Sequence, residues 1–257
     1  MSDTTVPESG SRVVTAALLL IGNEILSGRT RDANLTYIAT RCTELGIRLV
    51  EARVVADSEA AVVEAVNSLR ARVDYLFTTG GIGPTHDDIT ADCVAKAVGR
   101  PLIEHPEARA LLEAHYGDQI NPARLRMART PEGAELIENP VSTAPGFRTG
   151  NVYVLAGIPK IMQAMFESLA PDLVGGAPLL SRALEVDLPE SVIAGVLTEA
   201  QAAFADAVDI GSYPFARGGG FGVSVVLRGT DGETLARSLA TVAAGLRDLG
   251  GTVEERT

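Results

Sequence analysis

Short, nearly unbroken apolar runs alternate along most of this chain with stretches whose apolar positions recur every three or four residues. The first kind suits strands buried on both faces and the second suits helices with one buried face, so the alternation predicts a mainly parallel sheet flanked by helices. Val13 to Ile21 is the first strand and ends at Gly22-Asn-Glu24. A helix follows from about Asp32 to Leu45, closed by Gly46. Leu49 to Val55 is a second strand, after which Asp57 or Ser58 caps a helix carrying Val62, Val63, Val66 and Leu69. The central strand surrounds Leu76 and Phe77, and helices over Ile89 to Val98, Pro106 to Tyr116 and Asn121 to Ala128 come next. Thr130-Pro-Glu-Gly133 and Asn139-Pro140 carry turn chemistry, and Asn151 to Ala156 is a further buried strand. The helix Lys160 to Leu169, with Ile161, Met165 and Leu169 on one face, completes a domain over residues 13–172. Gly175-Gly-Ala-Pro178 then reads as a linker.

Residues 180–257 follow another order: strand Ala183 to Leu188, helix Glu190 to Phe204, strands Val208 to Tyr213 and Gly222 to Leu227, helix Glu233 to Leu249, strand Thr252 to Glu255. That β-α-β-β-α-β succession predicts a small ferredoxin-like α+β domain, with Arg217-Gly-Gly-Gly220 as its hairpin loop.

Composition narrows the partners more than the fold. The 257 residues, 46% hydrophobic and 21% charged, suit a soluble α/β protein long enough to bury two cores. A net charge of −11 argues against general affinity for nucleic acid or an anionic membrane, since both need a basic surface. Cys42 and Cys93 both fall in helical stretches, so neither a disulfide framework nor a thiolate metal site is indicated, and a cytoplasmic location is expected. Residues 1–12 are polar and read as a loose tail rather than a secretory signal. Val13 to Ile21 is too short to span a bilayer, so no transmembrane segment is expected.

The chemistry concentrates after the central strand, in Thr78-Thr-Gly-Gly-Ile-Gly-Pro-Thr-His-Asp-Asp-Ile-Thr90. Gly80, Gly81 and Gly83 allow positive φ and close approach of backbone N–H groups, which makes the loop a candidate phosphate cradle. It matches neither a P-loop, having no lysine after the glycines, nor the dinucleotide fingerprint. Two acids beside a phosphate cradle repel a bare anion, so a divalent cation between carboxylate and phosphate oxygens is the economical reading. Asp87 is the better metal candidate, and Asp88 reads equally as a ligand or as the cap of the helix at Ile89. His86 could touch phosphate or shuttle a proton, against the reading of a solvated loop histidine.

Gly22, Asn23 and Glu24 end the first strand and therefore share a sheet edge with the glycine loop. Glu24 could hold a ribose hydroxyl, assist the metal, act as a base or cap its own turn. Asn34 is either a polar ligand contact or a helix-start cap, and Lys160 at a helix N-terminus either meets a phosphate or is simply exposed.

Together, Ile21-Gly-Asn-Glu-Ile-Leu-Ser-Gly28 with Asn34, the long glycine-to-Asp-Asp stretch, Asn139-Pro-Val-Ser-Thr-Ala-Pro-Gly-Phe147, and Gly157-Ile-Pro159 with Met162 resemble the amino-terminal domain of competence/damage-inducible protein A, CinA. The resemblance covers about residues 13–172 and places the domain in the molybdopterin-binding superfamily of MoaB and MogA, which implies a three-layer α/β/α sandwich with a mainly parallel sheet. The tail resembles the small domain that follows in CinA, notably in Leu188-Pro-Glu-Ser191 and Ile210-Gly-Ser-Tyr-Pro-Phe215. Two activities are implied: binding of a molybdopterin-type ligand without turnover, or metal-dependent (Mg, Mn or Co) hydrolysis of ADP-ribose to AMP and ribose 5-phosphate. The His-Asp-Asp motif favours the second. By position, Gly80, Gly81 and Gly83 would cradle phosphate, Asp87 and Asp88 would handle metal, and Glu24 and Asn34 would line the opposite wall. Thr79, Thr85, Gly157 and Pro159, within the matching motifs, complete the expected ligand set. Lys160 stands where the family carries an acidic segment, which puts contacts near it in question. Relatives with this fold also imply self-association into a homo-oligomer. The nicotinamide mononucleotide deamidase domain of longer CinA proteins has no counterpart in these residues, so deamidation is not expected.

Overall fold

A computed structural model describes residues 13–217 and 220–256. The expected loose tail, residues 1–12, and Gly218 and Gly219 of the expected hairpin loop lie outside the described residues. The chain divides into two compact units, one ending at Gly176 and the other beginning at Ala177.

In chain order the first unit runs β1 (Val14–Ile21), α1 (Asn23–Leu26), α2 (Asn34–Glu44), β2 (Ile47–Val55), α3 (Glu59–Arg70), β3 (Tyr75–Thr79) and α4 (Thr90–Val98). Then come β4 (Leu102–Glu104), α5 (Pro106–Tyr116), α6 (Pro122–Leu125), β5 (Arg129–Pro131), β6 (Glu135–Ile137), β7 (Gly146–Thr149), β8 (Val152–Leu155) and α7 (Pro159–Leu169). Its six-stranded sheet has the order β2-β1-β3-β8-β7-β6, parallel from β2 to β8 and antiparallel beyond.

Because side chains alternate across a strand, β1 feeds two separate cores. Ala16, Leu18 and Leu20 pack with Ile38 and Cys42 of α2 and with Met162, Met165 and Phe166 of α7. Ala17, Leu19 and Ile21 pack with Val62, Val66 and Leu69 of α3 and with Cys93 and Val94 of α4. The sheet therefore lies between helical layers, as the resemblance implied. Leu18, Leu19, Leu20 and Ile21 are at most 2% exposed, and burying each contributes about 2 kcal/mol, so the end of β1 is held firmly where the Gly22 loop begins. Cys42 and Cys93 are free and sit in opposite cores; burial pushes their thiols up to about 12 and about 11, which leaves them unreactive.

Three features differ from the sequence reading. Residues 135–149, in which only the Asn139-Pro140 turn was expected, add β6 and β7 to the sheet edge, and Thr130-Pro131, expected as a turn, lies in β5, paired with β4. Strands of three or four residues are too short to show alternation. The helix expected over Asn121 to Ala128 is a single α turn, capped by the Asn121 side chain on the Arg124 N–H at 2.9 Å, followed by a 3₁₀ turn over Arg126–Ala128. The Asn139 turn itself stands: its side-chain oxygen accepts from Val141 and Ser142 N–H, and its amide donates to the Ala144 carbonyl at 2.8 Å.

The second unit contains β9 (Leu180–Val186), α8 (Glu190–Phe204), β10 (Val208–Arg217), β11 (Gly220–Gly229), α9 (Gly232–Asp248) and β12 (Val253–Arg256). Its antiparallel order β10-β11-β9-β12 is that of the expected ferredoxin-like motif. Leu184, Val186, Val225 and Leu227 of the sheet form one core with Ile193 of α8 and Leu239, Val242 and Leu246 of α9. Among the described residues no helix is long and apolar enough to cross a membrane.

Candidate functional site

From β1 the chain passes to β2 on one side and then crosses to β3 on the other, so the sheet has a topological switch beside β1. Open parallel sheets bind ligands at the carboxyl ends of strands at such a switch. Four loops meet there: Gly22 to Thr30 after β1, Asp57 after β2, Gly80 to Ile89 after β3, and Ala156 to Ile158 after β8. They surround a cavity of about 480 Å³, within the ~300–1,000 Å³ of small-ligand sites. Glu24, Asp57, Gly80, Gly81, Gly83, Asp87, Asp88, Gly157 and Pro159 line it, and Ile21, Ile82, Met127, Ile158 and Ile161 give it an apolar side.

Gly80 turns the chain out of β3. Its φ is +101°, and a Cβ there would stand 2.2 Å from the carbonyl oxygen of Ile21, so no side chain fits. Its N–H donates to the Leu155 carbonyl at 3.2 Å, and its own carbonyl accepts from the Thr90 hydroxyl at 2.8 Å. Thr90 is fully buried, and its N–H donates to the Gly81 carbonyl at 3.0 Å. Gly80 is thus committed to the sheet, and the loop backbone left to meet a ligand is that of Gly81 to Gly83. Gly157 approaches so closely that a Cβ on it would lie 3.1 Å from Gly80 Cα. Asn34 fixes that approach by donating from Nδ2 to the Gly157 carbonyl at 2.9 Å. It is 4% exposed and not a cavity wall, so the expected ligand contact is instead a tether between loops. Thr79 is likewise buried within the ladder.

The two acids of the loop separate in role. The helix starts at Thr90 with Ile89 in the cap position and no side-chain cap, so Asp88 is not the helix cap that its place suggests. Its Oδ2 accepts from the Thr85 N–H at 2.8 Å and the Thr85 hydroxyl at 2.5 Å, and lies 2.6 Å from where a Gly83 Cβ would be. The loop closes on its own carboxylate, which occupies Thr85 and half-buries Asp88. Asp87 is exposed, and hydrogen bonding within its own loop holds its carboxyl below the usual carboxylate range. His86 is 98% exposed with Nδ1 3.9 Å from Asp87 Oδ1, the arrangement of a solvated histidine.

Across the cavity, the Glu24 carboxylate folds back over Gly22, and the Asn23 N–H donates to Asp57 Oδ2 at 2.8 Å. Of the two residues expected to cap α3, Ser58 holds the cap position, without a side-chain bond, and Asp57 lines the cavity instead. Its place after a parallel strand was the signal for it. Lys160 is exposed on the first turn of α7 and does not line the cavity. The cation beside the loop is Arg126, whose Nη2 donates to the Asp88 carbonyl at 3.3 Å.

The polar side chains of the walls are mostly carboxylates, whose oxygen donors suit a hard divalent cation. Among the described residues, however, no three His, Cys, Asp or Glu side chains converge as a ready-made metal site. Such an ion would be held by one or two of Asp87, Asp57 and Glu24 and would draw its other ligands from phosphate and water, the usual habit of Mg²⁺.

A family model described as "Probable molybdopterin binding domain" matches residues 17–175, and one described as "FAD synthase, middle domain" matches residues 178–250. A protein of Aeropyrum pernix is 34% identical over 261 residues, covering 93% of this chain and 96% of its own length. A CinA-like protein of Desulfosudis oleivorans is 36% identical over 192 residues, which cover 69% of this chain but 46% of that protein, so the chain spans less than half of that relative. The crystal structure of the protein CinA from Thermoplasma acidophilum, a protein of unknown function, aligns with a TM-score of 0.59 at 35% identity over 62% of this chain and 98% of that one.

Proposed function

Because this chain belongs to the molybdopterin-binding domain family and is CinA-like over that domain, we propose that its first unit is a divalent-metal-dependent pyrophosphohydrolase for ADP-ribose or a similar nucleotide diphosphate. The observation that carries the reading is the single cavity in which a glycine loop, an exposed ionised carboxylate and two facing acids share one space with an apolar wall. Gly81 to Gly83 line up as the diphosphate side, and Ile158, Pro159 and Ile161 as the side for a flat base. Asp87 is exposed with its carboxyl held below the usual carboxylate range, and it presents an oxygen donor to the cavity. Asp57, fixed by the Asn23 N–H, presents a carboxylate from the facing loop. A divalent ion bound between these carboxylates and the diphosphate would supply charge neutralisation and a water of lowered pKa.

The test is AMP release from ADP-ribose by the purified protein with Mg²⁺, Mn²⁺ or Co²⁺, beside a chelator and Asp87→Ala. Metal-dependent AMP that the variant fails to make is expected. A folded protein that leaves ADP-ribose intact with every metal would overturn the hydrolase. The second reading, a binder of pterin phosphate or nucleotide without turnover, draws support from the family description and from the lack of three converging metal donors among the described residues. It predicts saturable binding of a ligand recovered unchanged.

A further inference from the structure

Arg126, half-buried beside the glycine loop, forms no ion pair with a carboxylate among the described residues. Arg129 pairs with Asp92 at 2.9 Å, and Arg124 lies over the Tyr116 ring, 4.2 Å from its centroid. Arg126 begins the 3₁₀ turn after α6, where the Asn121 cap sets the direction of the chain. Its Nη2 is used on the Asp88 carbonyl, while its Nε is buried with no hydrogen-bond partner. A buried donor left unmade is costly, and more so when it carries charge.

Arg126 borders a cavity of about 20 Å³ walled also by Gly81, Gly83, Asp88 and Phe147. That volume holds one oxygen atom, as a water or as part of a ligand. Gly81, Ile82, Gly83, Asp88 and Met127 also line the 480 Å³ cavity, so the two spaces adjoin along the same loop. A water there would leave the arginine charge unmatched; a phosphoryl oxygen would meet it, and the planar fork of arginine suits phosphate.

We infer that Arg126 is the phosphate-binding cation of this pocket, receiving one non-bridging oxygen of a nucleoside diphosphate whose remainder lies in the main cavity. The inference rests on the pocket taking a phosphorylated ligand but not on turnover. It also supplies the positive charge that a pocket lined by Glu24, Asp57, Asp87 and Asp88 otherwise lacks.

Calorimetric titration of the whole protein with ADP and Mg²⁺ tests it, with ADP-ribose hydrolysis measured in parallel. Arg126→Ala is expected to weaken ADP binding about 10- to 100-fold, the range for a hydrogen bond to a charged group. Arg126→Gln, which can still donate to the Asp88 carbonyl, is expected to lose nearly as much, and Arg126→Lys to recover part. Arg124→Ala, which removes a neighbouring charge, is expected to stay within about two-fold. Thermal melting establishes that each variant is folded. A folded Arg126→Ala or Arg126→Gln that binds ADP like the parent overturns the assignment, as does a parent protein that binds no ADP. Binding that depends on Arg126 while ADP-ribose stays intact supports the assignment and removes the hydrolase.

Discussion

Replacing Gly80 by alanine tests whether the exit from β3 is as tightly built as its geometry requires. The added methyl would lie 2.2 Å from the Ile21 carbonyl oxygen, and both atoms belong to backbone that the sheet holds in place. Relief needs a shift of about 1 Å, costing roughly 1–3 kcal/mol as overpacking. The φ of +101° adds roughly 1–3 kcal/mol for a residue with a Cβ. Gly99→Ala is the matched control, since Gly99 has φ +69° at the end of α4 but nothing within 4 Å of its would-be Cβ. That variant meets only the left-handed penalty of roughly 1–2 kcal/mol, partly offset by a stiffer unfolded chain. The expected difference is about 3 kcal/mol, or about 6–12 °C in melting temperature for a unit of this size. Circular dichroism at helical wavelengths follows it without needing tryptophan, which the chain lacks. A Gly80→Ala protein melting at or above the Gly99→Ala protein would refute the close approach of β1 and the glycine loop.

Thr90→Val should cost about 1–3 kcal/mol in urea denaturation because it leaves the Gly80 carbonyl without its donor, and Thr90→Ser should recover most of that. Asp87→Asn should leave the melting temperature within about 2 °C, since the side chain is exposed, while AMP formation falls about 100-fold or more; unchanged turnover would remove Asp87 from the chemistry. Chelation of divalent ions should weaken ADP binding at least about 10-fold by calorimetry, and equal affinity with and without metal would count against the metal-bridged reading. Glu167 is held low by Arg41 first and Tyr37 second. A lowered carboxyl adds stability that is present above its unfolded value, about 4.3, and lost as pH falls through the folded value. The urea midpoint of the parent should therefore drop faster below about pH 4 than that of Glu167→Gln, and parallel curves would show the pair to be inert.

The parallel scaffold was legible because its strands are buried on both faces and its helices carry one apolar face, so the two periods separate cleanly in β1, α3 and α7. The added edge was not, because β5, β6 and β7 are each three or four residues long and include Pro131 and Gly146, which read as turns. In the site, the glycine loop and Asp87 stood out from residue type alone, whereas the division of labour inside the loop did not. Nothing in the order His-Asp-Asp says that Asp88 bends back to Thr85 while Asp87 faces outward; that depends on Thr90 being drawn to Gly80 and Gly81. Asn34 was visible as a polar residue near the edge, but its tether to Gly157 joins positions 123 residues apart, which no local pattern records. Asp57 and Arg126 were missed for a similar reason, since each has a bland local reading and gains its place only when the loops are assembled.

Charge decides what such a pocket can hold. A unit negative charge about 6 Å from a carboxylate is opposed by roughly 0.7 kcal/mol in bulk water and about 3 kcal/mol at the effective dielectric of a protein surface. With Glu24, Asp57 and Asp87 all facing the same space, a bare diphosphate meets several such terms, and one arginine offsets only part of them. A divalent ion carried in with the phosphate changes the sign of the sum, because it attracts each wall carboxylate and the ligand together. On the proposed reading the acids are therefore a filter as well as a donor set: they admit a phosphate that arrives complexed and oppose the same phosphate alone. The Asp88 carboxylate folded onto Thr85 works in the same direction, since it takes the Thr85 N–H and hydroxyl and leaves only the Gly81 to Gly83 backbone to meet a phosphate.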